Sequence, residues 1–233
     1  MLTFIIVGNR VTSLTKHDLD PLLDRLAHAN LKFEASYPGL QMERQPIHTL
    51  YGGANLYKPG AAQKMADLAL RHIQTYAPTF VDLANALQFP ESEGLPKDQH
   101  EIQLLAQELA KAKECSPQII AYKVYERMLE KLRREAIEDH RVDFEDGYGV
   151  RSDEEEDGHA LSASDAMAEG LLEDTLPPFV GLRIKALTDE AKGRSLRTLD
   201  TFVSNLASRT NGQIPVPFRV TLPKVTTHEQ VEV

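Results

Sequence analysis

Three carboxylates fall within four positions in Val142-Asp143-Phe144-Glu145-Asp146, directly ahead of Gly147-Tyr148-Gly149. Side chains alternate along a strand, so Asp143 and Glu145 share a face, and the glycine turn places all three acids at the strand's C-terminal end. Oxygen-rich groups of this kind suit Mg²⁺, held directly or through its waters. The same residues also fit a solvated acidic turn. An EF-hand loop does not fit, because counting from Asp143 puts Tyr148 where that loop needs glycine.

Arg183, in Gly181-Leu182-Arg183-Ile184-Lys185, is a cation inside an apolar strand and needs a partner. Its guanidinium fork suits a carboxylate, either that of a bound molecule or that of Asp143 or Glu145. Lys224, in Leu222-Pro223-Lys224-Val225, follows another strand, where it can bind an anion or lie on the rim. His48 is a candidate for substrate binding, although a histidine at the start of a strand more commonly serves a hydrogen bond. The run Asp153-Glu154-Glu155-Glu156-Asp157 has no apolar period and reads as a solvated face, with a metal role as the rival. There is no Gly-x-Gly-x-x-Gly, no phosphate loop, no His-Glu-x-x-His and no paired Cys-x-x-Cys, which argues against dinucleotide and zinc chemistry.

The elements that must position these residues are legible as patterns. Leu19, Leu22, Leu23 and Leu26 predict an amphipathic helix near 16–35. A short strand is expected at 46–51, then a helical insert over about 54–138. In the insert Met65, Leu68, Ala69 and Ile73 make one face, and Phe80, Leu83, Ala84 and Leu87 resume it beyond Pro78. Ile102, Leu105 and Leu109 follow, and Ser116-Pro117 caps a helix carrying Ile120, Val124 and Met128. After residue 140 short apolar runs alternate with helical ones, as in βαβ units. The strands begin at Val142, Phe179 and Pro217, about 38 residues apart, close to the repeat of a (β/α)8 barrel. Leu196, Leu199, Val203 and Leu206 mark the helix between the last two. Thr226-Thr227-His228-Glu229 matches a capping box at the start of a further helix.

The fold expected is therefore α/β, a partial TIM-type barrel of about four strands, with an N-terminal helical extension over 1–36 and the barrel portion over 37–233. Thirty-five acidic against 26 basic side chains, a net charge of −9 and no basic run argue against nucleic acid as a partner. The apolar stretch Leu2 to Val7 is too short for a membrane span or a signal-peptide core. One cysteine, Cys115, cannot form an intrachain disulfide, and a cytoplasmic location is expected.

Taken in order, "VDFEDGYG" (142–149), "VGLRIKAL" (180–187) and "VTLPKVTTHEQV" (220–231) resemble strands of the citrate lyase β and hydroxy-diacid aldolase superfamily, the phosphoenolpyruvate/pyruvate-binding TIM barrels. With "RQPIHTLY" (44–51) and "EDHRVDFEDGYGVRSDEEED" (138–157), the chain is similar to a branch labelled phosphoenolpyruvate-kinase-like or aldolase/citrate-lyase-like, over roughly residues 37–233. The resemblance implies Mg²⁺, or Mn²⁺ in its place, and a 2-oxo acid or acyl-CoA-type carboxylate as substrate, with a C–C bond made or broken. It implies catalytic roles for Arg183, Glu145 and Lys224, with Arg183 gripping the substrate carboxylate. Glu145, Asp146 and Asp143 would line the metal through water, the direct ligands of the family lying on later strands. On this reading the chain is the N-terminal half of a barrel, and self-association or a separate C-terminal half is expected. The rival is a non-catalytic α/β module acting by association, with the acids and Arg183 as structural ion pairs.

Overall fold

The computed structural model describes residues 5–7, 10–12, 15–39 and 43–233. The chain divides into two units, Met1–Gln45 and Pro46–Val233. In the first, strands β1 (Ile5–Val7) and β2 (Arg10–Thr12) pair antiparallel, ahead of helix α1 (Lys16–Ser36). Thr15 and Asp18 close a reciprocal box at the start of α1: the Asp18 N–H donates to Thr15 Oγ1 at 3.2 Å and the Thr15 N–H to Asp18 Oδ2 at 2.9 Å. Leu22, Leu23 and Leu26 keep the helical spacing read from the sequence, and all three are exposed.

The second unit runs β3 (Thr49–Gly53), α2 (Ala61–Tyr76), α3 (Phe80–Ala86), α4 (Gln99–Leu109), α5 (Pro117–Glu135), β4 (Asp139–Asp143), α6 (Asp153–Leu172), β5 (Phe179–Arg183), α7 (Lys192–Arg209), β6 (Phe218–Thr221) and α8 (Glu229–Glu232). The four strands form one parallel sheet in the order β3-β4-β5-β6. Every neighbour in space is the next strand in sequence, the order found in part of a (β/α) barrel. Parallel pairing demands long crossovers. Helices α2 to α5 make the first, and α6 and α7 make the other two.

The register assigns each face of the sheet a chemistry. Val142, Phe144, Val180, Leu182 and Ile184 point one way and pack on Ala160, Ala163 and Met167 of α6 and on Phe202 and Leu206 of α7. His140 lies on this apolar side, edge-on to Tyr57 at 5.0 Å, and burial lowers its pKa to about 4, so it stays neutral. The alternate positions, Asp139, Arg141, Asp143, Arg183, Arg219 and Thr221, turn to the other face. There polar groups satisfy one another: Arg141 donates to Asp139 at 2.6 and 2.7 Å and to Thr221 at 2.9 Å, and Thr49 donates to Asp139 at 2.9 Å.

The insert has its own core of Phe80, Val81, Ala84, Leu95, Ile102, Leu109, Ile119 and Tyr125. Two helix faces differ from the sequence reading. On α2, Met65 and Leu68 are exposed while Ala66 is buried; on α5, Ile120 and Val124 are exposed while Ile119 and Tyr125 are buried. The two stripes read from the sequence hold only in part: Ile73 of α2 and Met128 of α5 pack against this core, while Met65, Leu68, Ile120 and Val124 stay outside it. The Ser116 cap stands as read, accepting the Ile119 N–H at 3.3 Å with Pro117 in the first turn. The last box does not form around Thr226: α8 begins at Glu229, and the Thr226 N–H donates instead to Gln230 Oε1 at 2.8 Å. Among the described residues no helix is long and apolar enough to cross a membrane.

Two glycines let β3 meet the turn that follows β4. A Cβ on Gly53 would stand 2.5 Å from the Gly147 carbonyl oxygen, and a Cβ on Gly147 would stand 2.7 Å from Asp143 Oδ2. Backbone on one side and a fixed carboxylate on the other cannot yield cheaply. Gly53→Ala should therefore destabilise the fold by about 1 to 3 kcal/mol, read as a lower midpoint in urea by circular dichroism.

Candidate functional site

The C-terminal ends of β4, β5 and β6 bring together Asp143, Glu145, Asp146, Arg183 and Lys224. Asp143 is the last residue of β4 and pairs in register with Arg183, the last residue of β5. Arg183 donates from Nε to Asp143 Oδ1 at 2.8 Å and from Nη2 to Oδ2 at 2.6 Å. The backbone N–H groups of Glu145 and Gly147 donate to the same two oxygens at 3.0 and 2.8 Å. A carboxylate has about four acceptor positions, so Asp143 is saturated. Burial pushes its pKa up, but the Arg183 hydrogen bonds, the two N–H donors and the guanidinium charge outweigh that and hold it below the ordinary 3.8.

Those two N–H donors fix the turn in which Glu145 and Asp146 sit. The Arg183 plane lies 4.4 Å over the ring of Tyr51, and its Nη1 reaches Glu145 at 3.5 Å and Asp146 at 3.6 Å. Lys224 closes the cluster from β6 with an ion pair to Glu145 and a hydrogen bond to Asp146 at 3.1 Å. The carboxylates of Glu145 and Asp146 raise the Lys224 pKa, and the Lys224 hydrogen bond lowers that of Asp146. Lys224 also has a φ of +52°, a left-handed conformation that costs energy in a residue with a Cβ. A non-glycine held there, with its cation on two carboxylates, is the kind of local strain found at functional sites.

Several residues depart from the sequence reading. His48 does not join the cluster: it precedes β3, and its Nε2 accepts the Glu138 N–H at 3.4 Å at the opposite, N-terminal end of the sheet. Asp143 is not placed to meet a metal, since Arg183 and backbone N–H groups occupy its oxygens. Among the described residues no three His, Cys, Asp or Glu side chains stand together so as to hold a metal ion. Glu145 and Asp146 remain as two adjacent carboxylates, a donor set that fits a largely hydrated Mg²⁺, which commonly takes only one or two protein carboxylates.

The acidic run is not a uniformly solvated face either. It forms the first turn of α6, where Ser152 caps by accepting the Glu155 N–H at 3.2 Å, and Glu156 is fully buried. Glu156 accepts from Thr198 at 2.7 Å and faces Lys185 at 3.1 Å and Arg194 at 3.5 Å. Lys185 in turn donates to the carbonyls of Phe144 at 2.5 Å and Gly149 at 3.5 Å, so it grips both ends of the turn that carries Glu145 and Asp146. The signal was present: Glu156 shares a helical stripe with Ala160, Ala163 and Met167.

Two outcomes follow. Because the folded pKa of Asp143 is depressed, its stabilisation is complete above pH 3.8 and is lost as pH falls through the folded value. Asp143→Asn should cost about 3 to 5 kcal/mol at pH 7, by stranding Arg183, and should flatten the acid limb of stability measured in urea between pH 5 and about 2. At Lys224, glycine and alanine both remove the cation, but only alanine keeps the strained backbone. Lys224→Gly should melt at a higher temperature than Lys224→Ala by circular dichroism.

Residues 26–233 match the family model described as Domain of unknown function (DUF6986), and the chain belongs to that family. No curated protein and no solved structure matches the chain.

Proposed function

For this member of the DUF6986 family we propose a Mg²⁺-dependent carbon–carbon lyase or aldolase-type reaction on a 2-oxo acid or acyl-CoA-type carboxylate, in the manner of the citrate lyase β and hydroxy-diacid aldolase superfamily. The observation that carries the proposal is the convergence of Arg183 and Lys224 with Glu145 and Asp146 at the C-terminal end of a parallel sheet. Ligands of α/β sheets and barrels bind at that end.

The roles follow from exposure and reach. Asp143 anchors the Arg183 fork and takes no part in binding. Arg183 keeps Nη1 toward Glu145 and Asp146, and Lys224 carries an exposed ammonium with three donors, so together they bind and orient a substrate carboxylate. Glu145 and Asp146 would hold the hydrated Mg²⁺ or Mn²⁺, which supplies Lewis-acid stabilisation of the enolate charge when bound. Lys224 rests on these same carboxylates in the unliganded protein, so ligand binding must exchange ion pairs rather than create them. A cytoplasmic location belongs to the same proposal, consistent with a lone exposed Cys115.

A second reading has its own support. The closed Asp143–Arg183 pair needs no ligand, and β3 and β6 each pair on one side only among the described residues, leaving strand edges for self-association. Calorimetric titration of oxalate or pyruvate with and without Mg²⁺ separates the two. The proposal expects Mg²⁺-dependent binding that falls at least tenfold in Glu145→Gln. Binding indifferent to Mg²⁺, or absent, together with a concentration-dependent mass in size-exclusion light scattering, overturns it in favour of association.

A further inference from the structure

Strand β3 lends no residue to the roles assigned at the strand ends, yet one of its side chains lies against them. Tyr51 pairs in register with Arg141 and so stands on the polar face, with Asp143 and Arg183. It is 41% exposed, whereas every residue of β4 is buried. Arg183 belongs to β5, two strand spacings or roughly 10 Å from β3, and its side chain crosses β4 to bring Cζ to 4.4 Å from the centre of the Tyr51 ring. The Tyr51 hydroxyl bonds to no group among the described residues. The ring is therefore what engages the arginine.

Arg183 has N–H groups to spare. Of the five donors of a guanidinium, one on Nε and one on Nη2 go to Asp143, which leaves three along the edge formed by Nη1 and Nη2. Two parallel hydrogen bonds hold one edge of the plane and still let it hinge about that edge. Nη1 stands 3.5 Å from Glu145 and 3.6 Å from Asp146, close enough to be attracted and too far to hydrogen-bond well. A swing of the plane onto either acid would spend Nη1 inside the protein and occupy a carboxylate as well. The ring lies against the face of the guanidinium, and its attraction for the cation opposes movement off it.

We propose that Tyr51 is a positioning residue of the candidate site: its ring holds the Arg183 plane so that the outer edge, Nη1 and Nη2, stays open to a ligand carboxylate. The inference rests on the reading that this rim binds a carboxylate, and it adds a residue which that reading does not require. It assigns the work to the ring and none to the hydroxyl, so phenylalanine can replace Tyr51 and an aliphatic side chain cannot.

The test is calorimetric titration of oxalate in the presence of Mg²⁺ into the full chain and its Tyr51 variants, with circular dichroism to confirm that each folds. Tyr51→Leu should weaken binding about tenfold, and the conservative Tyr51→Phe should restore it to within twofold of the parent chain. The chain has no tryptophan, so Tyr51→Trp supplies a single emitter stacked on Arg183; it should bind oxalate as the parent does and change its emission when oxalate and Mg²⁺ are added together. If Tyr51→Leu does not fold, the emission of Tyr51→Trp and the affinity of Tyr51→Phe carry the test. A parent chain that binds no oxalate overturns the proposed reaction and this inference with it. A parent chain that binds overturns only the role of Tyr51 if Tyr51→Leu binds equally well, if Tyr51→Phe loses as much as Tyr51→Leu, or if the emission of Tyr51→Trp does not respond.

Discussion

The four hydrogen bonds onto Asp143 are the constraint from which the rest of the site is arranged. They come from two places in the chain, the Arg183 fork at the end of β5 and the N–H groups of Glu145 and Gly147 in the turn after β4. One carboxylate thus fixes the register of two parallel strands at their C-terminal ends and the path of the turn between β4 and α6. A buried ion pair is not by itself a source of stability, since desolvation of both groups offsets their attraction. What this pair provides is position, because any slip between β4 and β5 would strand a charge that water cannot reach.

The apolar side of the same sheet reinforces that arrangement from behind. Phe144 and Ile184 continue β4 and β5 on the helix-facing side and are fully buried with Phe202 of α7. Immediately beyond them Lys185 reaches back to the Phe144 and Gly149 carbonyls, and Glu156 of α6 and Thr198 of α7 balance it. The turn bearing Glu145 and Asp146 is therefore held from the polar side by Asp143 and from the helix side by Lys185. Its two carboxylates are presented by a backbone that neither layer lets move.

Much of this was legible in the sequence, and the exceptions have physical causes. Short apolar runs alternating with helical ones identified β4, β5, β6 and α7 and the α/β class, although β4 begins at Asp139, three residues before the Val142 start read from the sequence. The meeting of Asp143, Glu145, Asp146, Arg183 and Lys224 followed from placing each at a strand's C-terminal end. His48 was misplaced because β3 begins at Thr49, three residues later than the start at 46 that its β-rich composition suggested, leaving the imidazole at the N-terminal end. Asp139 and Arg141 were passed over, although Asp139-x-Arg141-x-Asp143 is itself a period-two pattern announcing a polar face. The saturation of Asp143 was not readable, since it depends on how the turn's N–H groups point, and backbone direction leaves no trace in residue type.

Exposure grades the cluster from fixed to exchangeable. Asp143 is fully buried, the Glu145 side chain is 9% exposed, and those of Asp146 and Lys224 are 64% and 61% exposed. Removing one partner of a buried pair leaves a charge without solvation, whereas an exposed pair is worth little and water can replace either member. A ligand arriving at the strand ends therefore meets an inner pair it cannot profitably open and an outer lysine it can displace at small cost. The same gradient explains why Lys224 can be held in a left-handed backbone conformation: its contribution lies in where it puts a movable charge, while the sheet's registration rests on Asp143 and Arg183 beneath it.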